Sequence, residues 1–396
     1  MQDIAYLKKQ VIADVDARRQ ALVEMSDTIH AKPELGFAEF QAVALLTRVL
    51  EDNGFQIELG VAGLETAFVA TLAGQVGGPT IAFVTQYDAL PGLGHACGHN
   101  IIAASAAGAG LAMKRVLPEL PGAIQVIGTP AEETGGGKVL MVDAGVFATV
   151  DAAMMIHPSS RNAVGRRSLT AYPLRLEFFG RPAHAASKPD EGINALDALL
   201  LTFNGINALR QHLRDDVRIH GIITHGGDAA NIVPAYTSAE LLIRAADTPY
   251  ATEVLEKVQA CAQGAALATG ARLEFAQSGP RYDARIPNPK LVELFRDNML
   301  ALDQEVEVAP PDQRLASSDI GNVSQVVPTI SPGIAIGSED LGTHTVAFRE
   351  AAISPAGHHG LIIAAKAMAM TAVDLLAEPA SVEEARRQFA EQVGST

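Results

Sequence analysis

Cysteine is scarce in this chain: 396 residues contain two, Cys97 and Cys261. Two thiols cannot build a disulfide framework, and one bond between them would close a very long loop. A reducing compartment is expected instead. Bases are few as well, 30 against 45 acids, for a net charge of −15. That balance argues against binding nucleic acid phosphates, which takes clustered Lys and Arg. Charged residues make up only 19% against 48% hydrophobic, a composition that excludes disorder. Mean hydropathy is +0.16. No uninterrupted run of ~18 apolar residues is read from the sequence, so no membrane partner is expected. The start, Met1 to Lys9, lacks the apolar centre of a signal peptide and reads as a helix start. These features together predict a cytoplasmic protein.

At roughly 100–200 residues per domain, the length predicts two domains. A single core rarely grows past ~250–300 residues. Helical spacing covers 3–29 and 38–53, divided by the turn Lys32-Pro33-Glu34-Leu35-Gly36. Thr66–Ala73, Thr80–Thr85, Ala123–Gly128 and Ala152–Ile156 read as strands, mostly apolar, as in parallel sheets covered on both faces. Between them, 100–117 is rich in Ala and Gly and reads as a helix packed tightly on a sheet. The grammar changes near Tyr172, where Leu174 to Phe178 alternates with period two. From there the expected order is β-α-β-β-α-β, that of a ferredoxin-like unit. After Pro280 come a helix at 288–302, a strand at Thr329–Ile336 and an Ala/Met/Leu helix at 360–376. The expected architecture is α/β, with 172–282 inserted into a domain made of 1–171 and 283–396.

Four clusters carry chemistry, the first three directly after predicted strands, the edge where open α/β sheets bind ligands. They are Gln86-Tyr87-Asp88-Ala89-Leu90-Pro91 with Gly94-His95-Ala96-Cys97-Gly98-His99-Asn100; Gly128-Thr129-Pro130-Ala131-Glu132-Glu133; Ile156-His157-Pro158; and Gly342-Thr343-His344-Thr345. A thiol, imidazoles and carboxylates are ligand types for zinc and other divalent transition ions. In adjacent glutamates, one carboxylate can bind a metal while its neighbour accepts a proton from water. Other chemistries lack their signatures. Gly135-Gly136-Gly137-Lys138 is followed by Val139, not the Ser or Thr of a phosphate-cradling loop. No Gly-x-Ser-x-Gly elbow occurs.

These blocks resemble the signature segments of the M20 metallopeptidase and amidohydrolase family. The Cys97-Gly98-His99 segment points to its subfamily D. Asn231 to Tyr236, Ser318 to Ser324 and Ala365 to Ala372 resemble the p-aminobenzoyl-glutamate hydrolase and M20-domain-containing-protein-2 group. The resemblance covers nearly the whole chain. It implies a phosphorylase/hydrolase-like catalytic domain, a mixed sheet between helices, with an inserted α+β ferredoxin-like lid that also dimerises. It implies a homodimeric, two-metal amidohydrolase acting on an N-acyl or aminoacyl amino acid with a free carboxylate. The metals are zinc or manganese, with cobalt open. Glu132 is implied as the general base, and Cys97, His99, Glu133, His157 and His344 as metal ligands. Asp88 is implied as the carboxylate that orients a ligand. In the lid, His184 is implied to polarise the scissile carbonyl across the dimer, while Asn231 and Arg244 bind the substrate carboxylate. The wider family has a ligand histidine where this chain has Gln86; His99 substitutes in subfamily D.

Several residues have plainer readings. His30, His212, His220 and His225 lack metal-like contexts, and Cys261 reads as a core residue. His95 competes with His99, and His358 and His359 with His344; motif context favours His99 and His344. A dipeptidase for β-alanyl dipeptides, a folate-fragment hydrolase and a catalytically silent dimeric binding protein remain as alternatives.

Overall fold

The computed structural model describes residues 3–310 and 316–394. The chain divides into two compact units, one of Met1–Arg167 with Arg285–Thr396 and one of Ser168–Ala284.

The larger unit is built on a six-stranded mixed sheet. Its order is Gln56–Leu59, Phe68–Ala73, Pro121–Thr129, Gln75–Gln86, Ala152–Met154 and Thr329–Ile330. The first two junctions are antiparallel and the last three parallel. The parallel strands carry apolar side chains on both faces, so helices must cover both. His99–Met113 is buried along its whole length. Glycine there is a packing requirement: a Cβ on Gly110 would stand 2.6 Å from Val126 Cγ2, and one on Gly108 2.8 Å from Leu22 Cδ1. A helix this smooth lies close to the sheet, at the cost of weaker helix propensity at each glycine.

The helix Pro355–Ala377 has the length and hydropathy of a membrane span, a feature that a search for uninterrupted apolar runs passes over. Within its most apolar window, 94% of residues are buried inside the fold. Its polar interruptions reach partners at the rim: Lys366 Nζ meets Asp16 at 2.7 Å, and Asp374 meets Lys8 at 2.6 Å. It is a core helix, packed against Ile4–Ala17 and His99–Met113.

The expected strand Thr329–Ile336 is two short strands in different sheets, and the expected strand Ala152–Ile156 ends early where the chain makes the same change of sheet. After Ala152–Met154 the chain leaves the central sheet, and His157–Ser159 joins a second sheet of order Glu307–Val308, Ala163–Val164, Gly333–Ala335, His157–Ser159. Thr329–Ile330 and Gly333–Ala335 make the same switch beside it. Pro332, which has no N–H, sits at the second break, where its carbonyl accepts from the His157 N–H at 2.9 Å. His157 therefore stands where two sheets part.

The smaller unit has the order β-α-β-β-α-β. Its antiparallel sheet runs Arg272–Gln277, Thr170–Phe179, Tyr236–Ala245, Arg218–His225. Helices Ala195–Leu209 and Thr248–Thr269 pack on one another and on the sheet through their own hydrophobic core.

Candidate metal centre

Three loops at the C-terminal ends of parallel strands meet in the larger unit. The first begins after Gln86. Gly98, with φ +75°, turns the chain into the helix that His99 opens. A Cβ on Gly98 would stand 2.7 Å from Pro158 Cγ, so its bare backbone lets the Cys97 and His157 segments touch. Cys97 Sγ lies 3.5 Å from His157 Nε2. The second loop carries Glu132 and Glu133 after Ala131, which is itself held at φ +55°. The fully buried Glu39 anchors that turn: its carboxylate accepts from the Ala131 N–H at 2.8 Å and from Thr66 Oγ1 at 2.8 Å. His344, at φ +59°, is tied in by its own N–H, which donates to Ala96 O at 2.9 Å. Left-handed backbone at non-glycine residues costs on the order of 1–3 kcal/mol, and it persists where the surroundings over-determine it.

The side chains converge. Ligand atoms of Cys97, His99 and His157 lie within 4.8 Å of one another. The same holds for Cys97, Glu133 and His344, and for His99, Glu132 and Glu133. Glu133 Oε1 stands 3.8 Å from His99 Nε2 and 3.6 Å from His344 Nε2. It is buried without a hydrogen-bond partner. A buried carboxylate oxygen facing ring nitrogens and a thiol, none close enough to share a proton, fits a cation between them. The mixture of sulfur, imidazole and carboxylate suits zinc and the other divalent transition ions.

Hydrogen bonds behind these groups set which atoms face inward. His157 Nδ1 donates to Pro158 O at 2.7 Å, leaving Nε2 toward Cys97. Asp88 divides its oxygens: Oδ1 accepts from His99 Nδ1 at 2.9 Å, and Oδ2 accepts from the Glu133 N–H at 2.9 Å. One carboxylate thus fixes a ring and the backbone of a second candidate ligand. Lys138 Nζ donates to Gln86 Oε1 at 2.6 Å, which turns the Gln86 amide N–H toward His99 Nε2 at 2.8 Å. An ammonium can only donate, so the amide orientation follows, and the His99 proton belongs on Nδ1.

Lys138 also pairs with Asp319 at 2.8 Å, both side chains fully buried. The sequence motifs give neither residue a role. Lys138 stands out there only as part of a failed phosphate loop, and the two partners are far apart in the chain. Burial, then the Asp319 charge, raises the Glu132 carboxyl to about 7. Burial pushes the Cys97 thiol up to about 12 and His157 well below the usual imidazole range, with the Arg166 charge next in effect. His95 is buried and pushed down to about 3, chiefly by burial, and belongs to none of the ligand groups found among the described residues. His358 Nε2 meets Asp27 Oδ1 at 2.9 Å, and His30 Nε2 meets Arg349 O at 2.9 Å. Cys261 is half-buried, 3.3 Å from where a Cβ on Gly205 would lie.

In the smaller unit, His184 and Asn231 are neighbours in space: His184 bridges to Ile232, and the Ala185 N–H donates to Asn231 O at 3.0 Å. Arg244 lies elsewhere. It is eight residues along the strand that starts at Tyr236, paired in register with Ala171 and Arg218. At ~3.3 Å per residue that is about 26 Å from the His184 end. The fold of one chain does not bring Arg244 to the other two.

The profile of peptidase family M20/M25/M40 matches residues 82–357. The Xaa-Arg dipeptidase of Mus musculus is 37% identical, over 98% of this chain and 93% of its own. A p-aminobenzoyl-glutamate hydrolase chain of Escherichia coli (strain K12) is 30% identical, over 96% of this chain and 94% of its own. Among solved structures, a dinuclear metal binding peptidase of the M20 family from Bacillus subtilis superposes with a TM-score of 0.70 at 23% identity, covering 91% of this chain and 99% of that one. An aminobenzoyl-glutamate utilization protein from Klebsiella pneumoniae gives 0.73 at 22% identity, covering 92% and 98%. The chain belongs to peptidase family M20/M25/M40, and it is a hydrolase of amide bonds.

Proposed function

We propose that the enzyme is a two-metal dipeptidase, hydrolysing an aminoacyl amino acid with a free carboxylate. Cys97, His99, Glu133, His157 and His344 would hold the two divalent ions, zinc or manganese, with cobalt a third choice. When bound, such ions polarise a carbonyl and lower the pKa of water. Glu132 takes the proton of the attacking water and returns it to the leaving amine nitrogen. Its carboxyl, pushed to about 7 by burial first and Asp319 second, is matched to that task near neutral pH. Asp88 holds His99 and the Glu133 backbone in place. His184 polarises the scissile carbonyl, with Asn231 beside it on the substrate; Arg244 is the lid's cation for a carboxylate.

The observation that carries this reading is the convergence of thiol, imidazole and carboxylate ligand atoms within 4.8 Å, with Glu132 among them. Dipeptides come first among substrates because the mouse relative, and a Homo sapiens relative at 35% identity, are Xaa-Arg dipeptidases. The bacterial relative at 30% supports p-aminobenzoyl-glutamate as the second reading. The segments 1–171 and 283–396 form the catalytic domain and 172–282 the lid. The enzyme works as a homodimer through the lid: Arg218–His225 is an edge strand with Ile222 and Ile223 exposed, a ready surface for a second copy. A cytoplasmic location keeps the thiol of Cys97 reduced.

Metal analysis coupled to a substrate panel tests the reading. The panel is alanyl-arginine, a β-alanyl dipeptide, an N-acetyl amino acid and p-aminobenzoyl-glutamate. Two equivalents of metal and turnover of alanyl-arginine, abolished by a chelator and restored by zinc or manganese, are the expected results. A protein that takes up no metal, or hydrolyses none of the four, sinks it.

A further inference from the structure

The Nε2 atom of His99 has one lone pair and two claimants. The ring is fully buried, and its other nitrogen is engaged: Nδ1 donates to Asp88 O at 2.8 Å and to Asp88 Oδ1 at 2.9 Å. With the proton on Nδ1, Nε2 can only accept. Glu133 Oε1 and Glu132 Oε2 face it at 3.8 and 3.9 Å. The Gln86 amide N–H stands nearer, with Gln86 Nε2 at 2.8 Å. A lone pair given to that N–H is not available to a cation.

The amide would not have to be a rival. Turned over, it would present its oxygen to the same place, and carbonyl oxygens are ligands for divalent ions. Lys138 forbids the turn. Its Nζ donates to Gln86 Oε1 at 2.6 Å and pairs with Asp319 Oδ1 at 2.8 Å. Its backbone N–H donates to Asp319 Oδ2 at 3.0 Å, which fixes the carboxylate at both ends. In the turned amide an NH2 group would face an ammonium, and both can only donate.

Gln86, His99, Lys138 and Asp319 are all fully buried. Taking an ion pair out of water is costly, and such a pair is weak evidence of stability. Its visible result here is one amide held in one orientation. Groups behind a metal ligand normally orient it and raise its affinity, the part given to Asp88. Gln86 stands in front of the ring, on the atom that a ligand would use, and acts in the opposite sense.

We propose that Gln86, locked by Lys138, competes with metal for His99 Nε2 and keeps one of the two ions weakly held and exchangeable. The inference rests on the two-metal reading. It makes Gln86 a residue that tunes metal affinity without being a ligand, and Lys138 the positioning residue behind it. Occupancy of that position then follows the free metal concentration.

The test is zinc titration in competition with a chromophoric chelator. Gln86→Leu removes the N–H at similar size. The weaker zinc equivalent should bind about 3–10-fold tighter, the range for one neutral hydrogen bond no longer in competition. In a His99→Ala background the same change should leave zinc affinity unmoved, because nothing remains to compete for; a merely structural effect of the substitution would persist there. Unchanged or weaker zinc binding in folded Gln86→Leu, or a gain that survives His99→Ala, overturns the proposal. If Gln86→Leu does not fold, Gln86→Met, unbranched and of the same length, decides by the same two comparisons. A wild type that takes up no zinc sinks the two-metal reading and this inference with it. Two zinc equivalents in the wild type, with unmoved affinity in the variants, sink this inference alone.

Discussion

The two units hold their candidate residues in opposite ways. In the larger one, the groups near the metal centre are braced from behind: Asp88 spans His99 and Glu133, Lys138 fixes Gln86, Glu39 pins the turn before Glu132. In the smaller one, the His184 ring accepts, among the described residues, only the N–H groups of Ala186 and Ser187, at 3.2 and 3.3 Å, and Asn231 is exposed. Preorganisation is thus concentrated where charge must be held in low dielectric. The loosely held groups are suited to a role completed by substrate or by a second copy of the chain. The contrast teaches that mutations should separate into those that change the site's architecture and those that change only turnover.

The largest effect is expected from Glu132→Gln, which keeps the shape and removes the base. It should lower kcat by about 10²–10⁴-fold with both metals retained; wild-type turnover in a metal-loaded variant would remove Glu132 from its role. Lys138→Met should follow, because it strands Asp319 as a buried charge, at a cost of roughly 3–5 kcal/mol. Thermal unfolding of the metal-free protein reads this directly. Replacing Asp319 as well, by Leu, should restore part of the loss, and an unchanged melting temperature in the single variant would show the pair to be unimportant. His184→Ala should cost roughly 10²–10³-fold in kcat while the melting temperature and metal content stay fixed. A loss of stability instead would erase the contrast between the units.

The smallest effect should come from Asp88→Asn, a weakening of metal affinity by roughly 10–100-fold. The same titration, run across pH, sharpens it. Burial pushes the Cys97 thiol up to about 12, so ligation must displace a tightly held proton. Metal binding should release protons, and affinity should fall as pH is lowered; affinity independent of pH between about 6 and 8 would contradict Cys97 as a ligand.

The candidate ligands are legible in the sequence because each sits in a short motif whose residue types already imply chemistry. His99 and Glu133 can be singled out without knowing what touches them. The network behind them is not legible. Lys138 meets Asp319 only because the helix Gly137–Asp143 and the helix Ile320–Val323 approach in space, and no local pattern announces that. Gln86 shows only as a departure from a family pattern, while its bond to Lys138 gives it a function. Thr329–Ile336 reads as one strand because periodicity reports burial, and burial continues through Ser331 and Pro332 while the pairing changes sheets.

The spacing of the candidate ligands along the chain bears on biosynthesis. Cys97, His99, Glu133 and His157 precede the smaller unit, and His344 follows it. During synthesis the early ligands leave the ribosome while the segment that completes the site is still unmade. The intervening unit has its own hydrophobic core and can fold in the meantime. The backbone tie from His344 to Ala96 can therefore close only after the smaller unit has been made. Until it closes, the candidate set lacks one of its donors, so a centre that uses His344 would wait on the order of translation.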